Sequence, residues 1–407
     1  MKQNQWTALG LIGTAVLFSL SLWFSATVIG PNLKLVWGLT PTTEAWLSAS
    51  VPLGFVIGAL ISAYFGLPDR FNTRKLFAIS AFIGAILNLL LIFVNIASIG
   101  ILIRVLTGLT LAGVYPPAVK LIAQWFPKQR GLATGTLIAA LTLGSSLPHL
   151  ISLIVVVEEA FLVLFISSTL ALISAFIVGM VLVDAPTPST KTHFSMKTMK
   201  RVLNNKPVML ANYGYFGHMW ELYAMWTWLP AFLTASFLTY SSSLDLGLSV
   251  FVSFLAIGIA GGLGSIIGGI LADKIGRSNL TIISLSVSSV CALLIGFTFG
   301  SNIWLTITLA LIWGFFVIAD SAQFSVAVSE FAEVEYLGTA LTFQMCIGFL
   351  ITIITINLIP WLQMWVGWEW AFVVLSIGPI LGIVAMVKFK VYEKTQESQL
   401  DYSGYSS

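Results

Sequence analysis

Apolar stretches of about 20 residues recur along the whole chain, separated by short polar or Gly/Pro clusters. As a helix, a stretch of that length crosses the roughly 30 Å hydrocarbon core of a bilayer. The pattern therefore predicts an all-α membrane protein with 12 transmembrane helices. The predicted spans cover residues 6–30, 44–66, 75–95, 98–123, 131–155, 160–183, 208–236, 246–272, 279–299, 303–328, 337–361 and 368–390.

The longest polar stretch, residues 184–206, divides these spans into two sets of six. We therefore predict an N-terminal half at 1–183, a cytoplasmic linker at 184–206, a C-terminal half at 207–392 and a cytoplasmic tail at 393–407. The first apolar run is too long for the core of a cleavable signal, so we interpret it as the first span.

Composition supports the bilayer as the main solvent. Hydrophobic residues make up 58% of the chain and charged residues only 9%, far from the mixture of a soluble domain. The sequence has no nucleotide-binding glycine loop and no cofactor motif, so an enzyme is not expected and an ion gradient should supply the energy. Cys291 and Cys346 lack neighbouring ligand residues, so we predict neither a metal site nor a cofactor. No feature favours a nucleic-acid partner.

The basic residues predict the orientation of the chain. Of the 19 Lys and Arg residues, Lys34 falls on one side, and Arg104 and Lys120 fall within spans. The other 16 lie on the side that carries both termini and the linker. The positive-inside rule makes that side cytoplasmic, in an inner or plasma membrane.

Two loops half a chain apart share an acid followed by bases. The first reads DRFNTRK from Asp69, and the second reads GILADKIGR from Gly269 to Arg277, with the two aspartates 204 positions apart. Gly276, or Asn72 in the first copy, is suited to a left-handed turn. The pair resembles the loop signature of the major facilitator superfamily, although Phe65 stands where the first copy of that signature has its glycine.

This resemblance implies two pseudo-symmetric six-helix halves and alternating access to a site between them. It also implies a conformational-gating role for the matching loop residues. These are Asp69, Arg70, Arg74, Gly269, Asp273, Lys274, Gly276 and Arg277.

The fourth span contains Arg104, Gly108 and Gly113, which resembles the Arg/Gly motif of the same superfamily, and Gly314 is the counterpart in the tenth span. Small residues at four-residue spacing, here Gly108 and Ala112, share a helix face and allow backbones to approach closely. Gly144 and Pro148 in the fifth span partly match the motif of antiporter branches.

The run from Trp125 to Gly135 is similar to the nitrate/nitrite-porter and cyanate-transporter-like branches. Those nitrate porters bind the anion through arginines in the second and eighth spans. This chain has neither arginine, so nitrate itself is not expected.

Ionisable side chains inside spans are costly and usually functional. His218 and Glu221 are three residues apart, on one face of the seventh span, and Asp320 lies in the tenth. We predict Asp320 and Glu221 as proton-coupling residues, with His218 as a relay. The alternatives are a structural ion pair, or a Glu221 that reaches water.

The same reasoning gives a candidate substrate site in an apolar cavity with a few polar groups. Its predicted members are Arg104, Tyr115, His149, Trp226 and Gln323. Arg104 has the alternative of a structural pairing across helices.

These features favour a monomeric secondary transporter that imports a small molecule together with protons. The alternative is a proton-coupled antiporter that exports drug-like or metallophore-like compounds. A third class, metal-ion transport, would require His149, His218, Glu221 and Asp320 to converge on one point.

Overall fold

The computed structural model describes residues 3–126, 130–155, 159–186, 196–242, 246–333 and 335–404. Only the backbone is described for Pro68, Asp69, Arg130, Gly131, Met196, Leu246 and residues 397–404. Lys2, Pro127 and the centre of the linker, which entered the predictions, lie outside these ranges. The long helices are α1 (Gln5–Val28), α2 (Pro41–Phe65), α3 (Thr73–Phe93), α4 (Ala97–Trp125), α5 (Leu132–Ile154), α6 (Leu162–Val181), α7 (Lys206–Tyr240), α8 (Gly247–Ile275), α9 (Arg277–Thr298), α10 (Ile303–Phe331), α11 (Leu337–Val366) and α12 (Trp368–Gln396).

The predicted all-α membrane fold with twelve spans is confirmed. In the described ranges, eleven of the long helices are apolar and long enough to cross a membrane on those grounds alone. The twelfth is α7, which carries Asn212, His218 and Glu221 among its buried residues. Its 35 residues reach well beyond the predicted 208–236, and its polar groups are enclosed by neighbouring helices.

Two predicted non-helical segments contain helix. The linker includes a short helix at Met199–Asn204, directly before α7. At the other end of the chain, the last helix continues from Ile377 to Gly404, so the first part of the predicted tail is helical.

The two halves repeat the same packing pattern. In the first half, α1 packs against α5 and α6, α2 against α4, and α3 against α4 and α6. In the second half, α7 packs against α11 and α12, α8 against α10, and α9 against α10 and α12. The halves meet along two equivalent helix pairs, α2 with α11 and α5 with α8.

Glycines set the closest helix approaches inside each half, as the spacing predicts. A Cβ added to Gly108 in α4 would overlap the carbonyl oxygen of Val51 in α2. The equivalent overlap in the second half is between Gly314 in α10 and the carbonyl oxygen of Ala256 in α8. Each pair of backbones is therefore in direct contact.

Helices α4 and α10 are both interrupted at equivalent depths. The first part of α4 ends at Leu111, and the second begins at Tyr115, where two prolines occupy the first turn. In α10 the interruption falls on Asp320, between segments that end at Ala319 and begin at Ser321. The segment Ser321–Phe331 is called the lower segment of α10 below.

The two ends of the linker are tied to different halves. Gln3 of the first half donates to the carbonyl oxygen of Val181 and accepts from the backbone N–H of Val183, just before residue 184. On the other side, Arg201 forms an ion pair with Glu335 at 2.5 Å, and the Asn205 amide donates to the carbonyl oxygen of Phe331.

We predict that Gly108→Ala and Gly314→Ala each destabilise the protein, because the new methyl group must push two backbones apart. Overpacking of this kind costs about 1–3 kcal/mol. Thermal unfolding of the purified protein in detergent would measure the loss. Gly10→Ala is the matched control, since no atom lies within 4 Å of its added Cβ and alanine favours helix. Equal stability of all three variants would contradict the packing argument.

Candidate functional site

A histidine–aspartate pair links α7 to the interruption in α10. His218 Nδ1 lies 2.9 Å from Asp320 Oδ1, and both side chains are 1% exposed. The rings of Tyr215 and Phe324 lie 6.0 Å and 5.5 Å from the His218 ring and separate the pair from water. His218 Nε2 and Asp320 Oδ2 have no hydrogen-bond partner in the described part of the chain. The pair therefore has spare hydrogen-bonding capacity in a dry environment.

Glu221 lies one turn further along α7 and has a different environment. Its Oε1 accepts a 2.6 Å hydrogen bond from Trp313 Nε1 in α10, and its Oε2 accepts a 2.9 Å bond from the Ser288 hydroxyl in α9. Glu221 is also buried. Of the two predicted proton-coupling carboxylates, Glu221 is held by two donors, whereas Asp320 contacts a single titratable partner.

Aromatic side chains close the boundary between the halves. The ring of Trp23 lies 5.3 Å from Tyr223 and 5.7 Å from Phe349, and the rings of Phe55 and Phe349 are 4.6 Å apart. We call this group the inter-half aromatic cluster, and all its members are buried. Its six members are Trp23, Phe24 and Phe55 from the first half, and Tyr223, Trp226 and Phe349 from the second.

The predicted substrate residues Trp226 and His149 lie in or beside this cluster. The Trp226 ring is 6.3 Å from the ring of Phe24, and the ring of His149, in α5, is 6.5 Å from the same phenylalanine. His149 Nδ1 lies 3.3 Å from the carbonyl oxygen of Ser146. Trp226 Nε1 is buried without a hydrogen-bond partner among the described residues.

Tyr115 begins the second part of α4 and is half-buried. It lies near Tyr215 and Tyr223 of the second half. Tyr115, His149 and Trp226 thus lie near the boundary between the halves, and their role in substrate binding stays a prediction.

Arg104 and Gln323 lie elsewhere. Arg104 is fully buried inside the first half, where it donates to the carbonyl oxygens of Leu22, at 2.8 Å, and Trp23. Its Nη1 also lies 3.5 Å from Asn88 Oδ1. The guanidinium thus holds the stretch of α1 that carries Trp23 and Phe24. Gln323 lies in the lower segment of α10, where its Oε1 accepts from Arg277 at 3.2 Å.

The first loop motif is tied to the end of α6. Arg74 Nε and the Asn72 amide each donate to Asp184 Oδ1 at 2.9 Å. The Asn72 hydrogen bond and the nearby Arg74 guanidinium hold the pKa of Asp184 below its usual range. The contact of Asp184 with Asn72 and Arg74 is therefore present above the usual carboxylate pKa and is lost as pH falls through the lowered value.

Asn72 has φ −60° and caps α3, so the predicted left-handed turn at this residue is wrong. The side chain of Asp69 lies outside the described part, and Arg70 is exposed.

The second loop motif forms a larger network around Arg277. This side chain lies 2.6 Å from Asp273 and 3.6 Å from Glu330 in the lower segment of α10. Gly276 has φ +88°, as its predicted turn role requires. Gly269 is buried in α8, and Lys274 lies in the last turn of that helix. The motif thus connects α8, α9 and the lower segment of α10.

Glu393 completes this network, and the sequence reasoning missed it. From α12, its carboxylate accepts the backbone N–H of Arg277 at 2.7 Å and that of Ser278 at 3.2 Å, as well as the Ser278 hydroxyl. The first backbone N–H groups of a helix have no carbonyl acceptor within that helix, so Glu393 supplies the acceptor that the first turn of α9 lacks. The available signal was a lone acid among the bases after the last span, at a position similar to that of Asp184 after the sixth.

The described residues contain no group of three or more His, Cys, Asp and Glu side chains that could hold a metal ion. The metal-transport alternative required four such residues at one point, and in the structure His218 pairs with Asp320 while His149 lies beside Phe24 of the first half.

A family model described as Major Facilitator Superfamily matches residues 11–318 and 253–404. The chain belongs to this superfamily. The fold agrees with that assignment: a crystal structure of a point mutant of the nucleoside transporter NupG superposes with a TM-score of 0.71 at 15% identity, covering 94% of this chain and 99% of the other.

Curated relatives of this superfamily member carry transporter names. The niacin transporter NiaP of Acinetobacter baylyi is 30% identical over 28% of each chain, and the probable sulfoacetate transporter SauU of Cupriavidus necator is 22% identical over 61% of this chain and 60% of the relative. The probable galactarate/D-glucarate transporter GudP of Pseudomonas putida is 27% identical over 26% of this chain and 25% of the relative. The matches therefore span between a quarter and three fifths of these relatives' own lengths.

We predict that Glu393→Ala destabilises the first turn of α9 by about 1 kcal/mol, the usual cost of a lost helix N-cap. Hydrogen exchange at the start of α9 should accelerate, and the thermal transition should fall by a few degrees. Thr395→Ala is the control, because the Thr395 hydroxyl bonds to Val391 of its own helix. Unchanged exchange in α9 of the Glu393 variant would refute the capping role.

Proposed function

We propose that this protein is a secondary transporter that imports a small organic acid together with protons by alternating access. Superfamily membership and the two equivalent helix pairs between the halves support a rocking mechanism. Niacin, sulfoacetate and the two sugar acids in the relatives' names are all organic acids. These names support an organic acid as the solute. They do not support nitrate or cyanate, the solutes of the branches that the run from Trp125 to Gly135 resembles.

The observation that carries the proton assignment is the His218–Asp320 pair. A polar pair taken out of water is costly unless its hydrogen-bonding groups are satisfied, and His218 Nε2 and Asp320 Oδ2 are unsatisfied among the described residues. Protonation of Asp320 would remove its negative charge and weaken its hold on His218. A proton bound at this point therefore changes the link between α7 and α10.

The lower segment of α10 connects the pair to the second loop motif. It begins directly after Asp320 and carries Gln323 and Glu330, which both face Arg277. Release of His218 would remove one contact between α7 and the start of this segment, and the segment could then shift its contacts with the loop between α8 and α9. In this way proton binding would alter the gating region. Glu221, with both oxygens occupied, acts as a structural group in this scheme.

The basic residues further support an inner- or plasma-membrane location with both termini in the cytoplasm. The protein would act as a monomer surrounded by lipid.

A second candidate function, proton-linked export of drug-like compounds, is favoured by one observation. The inter-half aromatic cluster provides the kind of apolar surface that lipophilic molecules bind. Resistance to lipophilic cations on expression would support export, whereas sensitivity or no change would support import.

We predict that Asp320→Asn abolishes proton-driven accumulation but retains solute exchange. The variant keeps the side-chain shape and removes the titratable group, so solute can still move down its own gradient. The measurement is uptake of labelled niacin, sulfoacetate and glucarate into proteoliposomes with and without an inward proton gradient, followed by counterflow without a gradient.

Glu44→Gln is the matched control, because Glu44 forms a partly exposed ion pair with Lys34 at the membrane surface. It should accumulate solute like the unmodified protein. If the Asp320 variant still shows uptake that fully depends on the proton gradient, the assignment of Asp320 is wrong.

A further inference from the structure

The inter-half aromatic cluster lies on the path that alternating access must open. Trp23 and Phe55 belong to the first half, and their ring contacts with Tyr223 and Phe349 cross the boundary to the second half. These contacts must separate each time the halves rock. A solute that moves between the halves therefore meets the faces of these rings.

The geometry of the rings suits a flat aromatic solute. Neighbouring ring centroids are 4.6 to 6.3 Å apart with tilted or edge-on planes, which is the spacing of favourable aromatic pairs. An aromatic ring inserted between Trp23 and Phe349 would replace the lost ring contacts with equivalent ones. A saturated or polyhydroxylated solute would not replace them.

Trp226 and His149 both contact the ring of Phe24, and Ser145 lies one turn before His149 in α5. Trp226 Nε1 is an N–H donor that is buried and has no partner in the described part of the chain. Ser145 in α5 likewise has a buried hydroxyl without a partner among these residues. His149 is a third polar group near Phe24, and its Nδ1 faces the Ser146 carbonyl oxygen. A buried donor without an acceptor raises the free energy of the folded protein. A solute that supplies the acceptor removes this penalty.

This arrangement favours one carboxylate over other polar chemistry. A carboxylate oxygen accepts hydrogen bonds, so such a group can satisfy the buried N–H of Trp226. Glu221 is already bonded to Trp313 and Ser288, so this carboxylate is not available as a counter-ion for a cation. A sugar diacid would bring a second charge and several hydroxyls to a wall of hydrocarbon.

We propose that the solute is an aromatic or heteroaromatic monocarboxylate, whose ring stacks within the inter-half aromatic cluster and whose carboxylate accepts from Trp226 Nε1. This inference rests on the proposed function and narrows its solute class. Trp226 is then a specificity-determining residue. The rings favour aromatic acids, and the indole N–H favours the carboxylate.

The test compares benzoate with cyclohexanecarboxylate, which has the same carboxylate and a similar size but no aromatic face. Purified protein is titrated with each acid, and uptake into proteoliposomes is measured under an inward proton gradient, with empty liposomes subtracted. We expect benzoate and nicotinate to be bound and transported with at least tenfold preference over cyclohexanecarboxylate. Equal handling of the two matched acids would overturn the proposal.

Two substitutions test the role of Trp226. Trp226→Phe keeps an aromatic ring and removes the N–H, so KM for benzoate should rise about tenfold while the maximal rate is largely kept. Trp226→Leu also removes the ring and should reduce the preference for benzoate over cyclohexanecarboxylate. Trp304→Phe is the control, because Trp304 is 74% exposed on the outside of the bundle. Thermal unfolding of each variant would show that it is folded.

The outcomes separate this inference from the proposed function. Proton-dependent uptake of sulfoacetate or glucarate, with no binding of benzoate or nicotinate, would overturn the aromatic solute class and leave the proton-coupled acid transporter intact. Absence of proton-dependent uptake for every acid would overturn both. A normal KM for benzoate in folded Trp226→Phe would refute the role of the indole N–H.

Discussion

The cost of burying a polar group away from water is the constraint on which the rest of this structure depends. The bundle is surrounded by hydrocarbon, so each polar side chain in a span must find its partner inside the protein. Glu221 meets this requirement with Trp313 and Ser288, and Arg104 meets most of it with carbonyl oxygens of α1, although its Nε has no partner among the described residues. The His218–Asp320 pair and Trp226 meet it only in part. The groups to which we assign proton coupling and solute binding are therefore among those whose hydrogen bonding is incomplete.

Periodic and compositional features were predictable because the bilayer acts on them directly. The apolar runs predicted the order of all twelve helices, and the Arg/Gly motif with its counterpart in the tenth span predicted the contacts of Gly108 and Gly314 with neighbouring backbones. The loop signature identified the superfamily. In each case a single local stretch of sequence carries the whole physical reason.

Partnerships between distant residues were not predictable in the same way. Glu393 is more than a hundred positions from the α9 turn that it caps, and its role depends on how α12 lies against α9. Gln323 was assigned to the substrate site because it is polar and lies one turn from Asp320, yet a helix interruption directs it to Arg277. The sequence has no proline at Asp320 that would indicate the interruption of α10. Asn72 uses its side chain as a cap, which removes the need for a left-handed turn.

The way the linker is anchored determines what it transmits between the halves. Its first residues are fixed to α3 and α1 through Asp184 and Gln3, and its last residues are fixed to the second half through Arg201 and Asn205. Each attachment therefore travels with its own half as a rigid body. The main described contacts through which one half can influence the other are therefore those between α2 and α11 and between α5 and α8.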